Sequence, residues 1–85
     1  MGTMDKLFRL MADKKATDLF LSVGAPITIK MQGNAVPVNP TILDMATVRS
    51  LLEEVLKPEQ LEEFDREKEL QTRVVARDIG VYRLS

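Results

Sequence analysis

Cysteine, histidine and tryptophan are absent from the 85 residues, and tyrosine occurs once. Without cysteine there is no disulfide framework, no thiolate nucleophile and no Cys-ligated zinc or Fe–S cluster. Without histidine there is no Ser-His-Asp triad, no imidazole general base and no His-ligated metal. Glycine is sparse too. Gly2, Gly24, Gly33 and Gly80 stand apart, and none falls in a G-x-x-x-x-G-K-[ST] or G-x-G-x-x-G frame that presents backbone N–H groups to phosphate. The carboxylates are scattered without metal-loop spacing. Charge of one sign is also missing: 12 basic residues against 13 acidic give a net −1, which argues against a nucleic-acid surface. No apolar run approaches the roughly 18 residues of a membrane span, and no signal peptide is visible. What is present, 45% hydrophobic and 29% charged residues, suits one small folded domain of roughly 4–13 kcal/mol stability. The expectation is a soluble intracellular domain that performs no chemistry alone.

The patterning then divides the chain. Met1-Gly2-Thr3 reads as a cloning remnant ahead of Met4, leaving 4–85 as the domain. Met4, Leu7, Phe8 and Met11 recur at helical spacing, with Thr3 as an expected cap, Asp5 at the positive end of the dipole and Lys14 and Lys15 at the negative end. The two methionines in that stripe read as core filler. Leu19-Phe20-Leu21 forms a short buried strand ended by Ser22, Gly24 and Pro26. Ile27, Ile29 and Met31 alternate with polar residues and return through Ala35-Val36-Pro37-Val38. A Gly33-Asn34 turn would set Pro37, which cannot donate, at a hydrogen-bonded site. A Gln32-Gly33 turn moves it opposite Thr28, with Ile29 opposite Val36 and Ile27 opposite Val38. The second register is favoured, although positive φ at Gln32 is not ideal.

Asn39-Pro40-Thr41 reads as a linker, and Asp44 as the N-cap of a helix whose stripe is Met45, Val48, Leu51, Leu52, Val55 and Leu56. The adjacent Glu53 and Glu54 are not an acid/base pair, since neighbours point about 100° apart around a helix. Lys57-Pro58 ends that helix and opens another, charged and anchored by Leu61 and Phe64. Leu70, Thr72, Val74 and Ala76 alternate as a strand, Asp78-Ile79-Gly80 turns, and Val81 to Ser85 begins a last strand. Helix, three strands, two helices and two strands indicate α+β, with an antiparallel sheet covered on one side by helices. Tyr82 and Leu84 have inward parity and Arg83 outward. A strand that stops at Ser85 makes the chain read as a fragment. Of six arginines, five read as surface charges, and Arg83 stands out because it projects alone between two inward side chains.

Leu7-Phe8-Arg9-Leu10-Met11, Thr17-Asp18-Leu19-Phe20-Leu21-Ser22 and Gly24-Ala25-Pro26 together resemble the opening of the PilT/PilU family of type IV pilus retraction ATPases. Ile29 to Val38 resembles that family's x-G-x-V hairpin, and Leu56-Lys57-Pro58-Glu59-Gln60 its second and third helices. Ile79 to Ser85 is similar to its G-R-F-R-[VA]-[NS] strand. Phe20, where the PilT group often has histidine, places the chain nearer the PilU-like paralogues. Ile27 replaces the turn's second proline and Val81 the first strand arginine; Arg83 retains the second.

The resemblance implies a PAS-like N-terminal domain, inactive alone, ahead of a RecA-like domain that carries the Walker motifs, catalytic glutamate and Asp and His boxes. It implies a homo-hexamer in which this domain packs on the C-terminal ATPase domains of its own and neighbouring subunits. Its cofactors are ATP and magnesium in the full-length protein and none in this fragment. The same resemblance implies cytoplasmic residence at the inner-membrane base of the pilus machine, contact with a platform protein or sister ATPase, and no membrane insertion. Arg83 is the position onto which a phosphate-holding role carries over. The alternatives are the matching domain of a pilus-assembly or type II secretion ATPase, and a stand-alone PAS-type sensor or interaction module.

Overall fold

A computed structural model describes residues 2–76 and 79–85. Helix α1 spans Thr3–Lys14 and buries Met4, Leu7, Phe8 and Met11, the stripe that the spacing predicts. Its cap is not Thr3. Gly2 holds the N-cap position without a side-chain bond, and the backbone N–H of Met4 donates instead to Glu54 Oε1 at 3.0 Å. At the other end Lys15 turns into the left-handed region at φ 58°, and its N–H closes the helix on Met11 and Ala12 carbonyls.

Strand β1 (Ala16–Phe20) pairs with β2 (Pro26–Met31), and β2 turns into β3 (Asn34–Ile42). Thr28 faces Pro37 and Ile29 faces Val36, the register chosen to keep Pro37 off a donor site. The turn holds Gln32 at φ 50° and Gly33 at φ 82°, the two positive φ values of a tight hairpin. Beyond that point the pairing slips: Pro26 faces Ile42, so Ile27 opposite Val38 is not a regular rung. Asn39-Pro40-Thr41 is not a linker but the continuation of β3. Proline is tolerated there because β3 is an edge strand with no further neighbour to donate to.

Helix α2 (Met45–Glu53) is capped as expected, with Asp44 Oδ1 accepting from the Thr47 N–H at 2.7 Å. It ends before Val55 and Leu56, and Met45 lies exposed rather than on the apolar stripe. Pro58 opens α3 (Pro58–Glu67), where Gln60 Oε1 accepts from the Lys57 N–H. Arg49 fastens α2 to α3 through two bonds to Asp65, at 2.8 and 3.0 Å. β4 (Thr72–Ala76) and β5 (Gly80–Leu84) complete the sheet; Asp78 of the expected turn lies outside the described residues.

The sheet order is β3-β2-β1-β5-β4. The expected α+β class holds, but the sheet is mixed, because β5 lies parallel to β1. A parallel neighbour needs a crossover connection, and the α2–α3 stretch supplies it. Leu19, Leu21, Ile27, Ile29, Val74, Tyr82 and Leu84 share one core with the helices, and Leu19 at its centre is wholly buried. The opposite sheet face is exposed.

Candidate functional site

Strand alternation builds the open face. In β5, Tyr82 and Leu84 are buried, so Arg83 between them must point away from the core, and its side chain is 62% exposed. Four strands contribute to the same rung. Arg73 of β4 lies opposite Arg83, Arg83 beside Asp18 of β1, and Asp18 opposite Lys30 of β2. The next rung sets Val75 against Val81, both well exposed. On the other flank Phe20 pairs with Thr28.

The electrostatics of the rung are uneven. Asp18, whose side chain is 14% exposed, accepts from the Thr17 hydroxyl at 2.7 Å and lies 3.9 Å from Arg83 Nε. A contact of that length at the surface contributes little. Among the described residues the Arg83 guanidinium makes no hydrogen bond, this 3.9 Å approach being its ion contact. A planar fork of outward N–H donors fits phosphate oxygens, which take two parallel bonds from one arginine. Among the described residues no three carboxylates gather where they could hold a metal ion.

Arg83 therefore points outward, as its parity in the strand predicts. Arg73 was read as one of five surface charges, and its place opposite Arg83 went unrecognised. The available signal was shared parity: Arg73 and Val75 alternate outward as Val81 and Arg83 do, about one short turn. Glu53 and Glu54 form no shared site, since Glu53 pairs with Arg49 at 3.2 Å and Glu54 serves α1.

A second feature is a cleft of about 610 Å³ where α2 and α3 meet the ends of β1 and β5. Leu21, Val48, Leu52, Phe64 and Leu84 form its floor, and Glu63, Glu67 and Glu69 stand on its rim. Among the described residues no helix is long and apolar enough to cross a membrane.

No family model matches the chain. Among curated proteins it is similar to the type IV pilus ATPase PilU of Pseudomonas aeruginosa, at 35% identity over 81 residues. The likeness takes in 95% of this chain but 21% of PilU, so the chain spans about a fifth of the relative's length. Through nearly all of its residues, then, the chain is homologous to a portion of a type IV pilus ATPase of the PilU kind.

Proposed function

We propose that this chain is the PAS-like N-terminal domain of a hexameric type IV pilus retraction ATPase, and that Arg83 closes over ATP bound by a neighbouring RecA-like domain. The observation that carries the reading is Arg83 itself, outward on an open sheet face with no hydrogen bond to its guanidinium among the described residues, in a chain 35% identical to PilU over 81 residues. Bound ATP supplies the phosphoanhydride whose cleavage drives the motor. This chain's part is to bind and orient. Tyr82 and Leu84 fix β5 into the core on either side of Arg83, so the backbone that carries the arginine travels with the domain. Domain closure then decides whether its charge reaches the phosphates, which suits a machine driven by rotation of one domain against another.

Pilus partners, cytoplasmic residence and a homo-hexamer follow within the same proposal, with magnesium brought by the nucleotide and the ATPase domain. A pilus-assembly or secretion ATPase would use the face in the same way. A sensor module would instead use a ligand pocket with converging polar groups, and the cleft at the strand ends has an apolar floor with charged side chains such as Glu63, Glu67 and Lys68 around it.

The test is made in the full-length protein. Arg83→Ala is expected to impair ATP hydrolysis while circular dichroism and melting remain as in the parent; unchanged hydrolysis removes the assignment. The reading frame beyond Ser85 is expected to encode a P-loop within roughly one domain length, and a stop codon or an unrelated domain overturns the motor reading. Calorimetry of this chain with ATP is expected to show no tight binding.

A further inference from the structure

The sheet has two outer strands, β3 and β4, and they are protected unequally. An outer strand offers unpaired N–H and C=O groups to any other strand, and proteins blunt such edges with proline, bulges or charge. β3 has Pro37 and Pro40, and its pairing with β2 is interrupted by an irregularity between Pro26 and Thr28. β4 has neither device. Its five residues, Thr72–Ala76, run in unbroken register against β5 and contain no proline. Exposed hydrocarbon gathers there too. Val75 is 74% exposed, more than any other large hydrophobic residue among the described ones, and its rung partner Val81 is 59% exposed. Arg73 is the one charge that β4 carries.

We infer that the free edge of β4 is a self-association surface, on which a second copy of this chain pairs its own β4 antiparallel about a two-fold axis at Val74. The residues of the strand select that occupant and that register. Centred on Val74, the pairing sets Thr72 opposite Ala76 of the second copy, Arg73 opposite Val75, and Val74 opposite Val74. Centred on Arg73, it would set two arginines face to face, which is destabilising. Centred on Val75, it would shorten the ladder to Val74–Ala76. Parity agrees with the first register. Val74 lies on the core face and Arg73 and Val75 on the open face, so both copies keep their helices on one side of a continuous sheet. The apolar stem of each Arg73 then lies against the exposed Val75 of the other copy, while its charged head stays in water. An isologous contact makes each favourable pair twice. Neighbours in a six-membered ring are not related by a two-fold axis, so this contact joins two rings, or two free chains, edge to edge. It does not rest on the nucleotide reading of the open face.

The experiment is sedimentation equilibrium of this chain from about 10 μM to 1 mM, with circular dichroism of each variant as the check on folding. The parent is expected to form a dimer whose population rises with concentration. Val75→Lys sets an ammonium against Arg73 of the other copy, twice per dimer, and is expected to weaken association roughly ten-fold or more. Val75→Glu sets a carboxylate there instead and is expected to hold the dimer at least as tightly as the parent. Arg73→Glu combined with Val75→Lys exchanges the two charges and is expected to restore association to within about three-fold of the parent. Both positions are exposed, so the monomer fold is expected to survive each change. A parent that stays monomeric over the whole range overturns the inference and leaves the edge to a strand of another protein. A dimer that responds alike to Val75→Lys and Val75→Glu also overturns it, because its contact then lies elsewhere. No nucleotide enters these measurements, so either failure leaves the reading of Arg83 standing, and failure of that reading leaves this one.

Discussion

Phe8 of α1 and Tyr82 of β5 lie ring on ring, with centroids 5.6 Å apart and planes within 6°. The contact joins the first helix to the last strand and backs the position from which Arg83 projects. Tyr82→Ala removes the stack and leaves a cavity under β5, at a cost of about 3–5 kcal/mol. For a domain of this size that is much of the total stability, so urea melts should shift sharply or show no folded baseline. Tyr82→Phe keeps the ring and is expected to melt close to the parent.

Asp44 gives the fold an acid-sensitive element. Hydrogen bonds from Thr47, side chain first and backbone second, hold its carboxyl below the usual carboxylate range. A depressed folded-state value means that the contribution is complete above the ordinary carboxylate pKa, about 3.9, and is lost as pH falls through the folded value. Asp44→Ala is expected to lower the melting temperature by a few degrees at pH 7. The gap between parent and variant should close only on acidification below about pH 4. A gap independent of pH would assign the loss to something other than the charged cap.

Gln32 occupies a left-handed position, φ 50°, at the first corner of the β2–β3 turn. Asparagine adopts that conformation more readily, and Asn-Gly is the favoured pair for such hairpins. Gln32→Asn is expected to stabilise the domain by roughly 0.5 kcal/mol. Thermal melts would show a small upward shift, with the β2–β3 amides exchanging more slowly.

Glu54 caps a helix to which it does not belong, accepting from the Met4 N–H 50 positions earlier in the chain. Glu54→Ala is expected to cost about 1 kcal/mol. Hydrogen exchange should localise the effect to the first turn of α1, whereas a uniform rise in exchange would refute it.

Local rules made much of this fold legible. Pro37 allowed only one hairpin register at no cost to the ladder, and Asp44 and Pro58 marked two helix starts by their own chemistry. What escaped was determined at a distance. Glu54 reaches Met4 across 50 positions, which no local cap signal encodes. The Asn39-Pro40-Thr41 segment looks like a linker until β3 is known to be an edge strand, where missing donors cost nothing. For the same reason the outward position of Arg83 was legible from its own parity, while its pairing with Arg73 required knowing which strand lay beside β5 and in what register.

The placement of β5 between β1 and β4 has a consequence for how the chain comes to be folded. During synthesis the β1–β2–β3 meander can form early, but β1 keeps an unpaired edge until residues 80–84 have left the ribosome. Leu21 and Ser85 exchange their final bonds with the opposite strand only then, the Ser85 carbonyl accepting from Leu21 at 2.9 Å. Cooperative folding therefore waits for the last strand. Until it arrives, the nascent chain exposes a strand edge and the apolar stripe of α1, a combination that chaperones recognise.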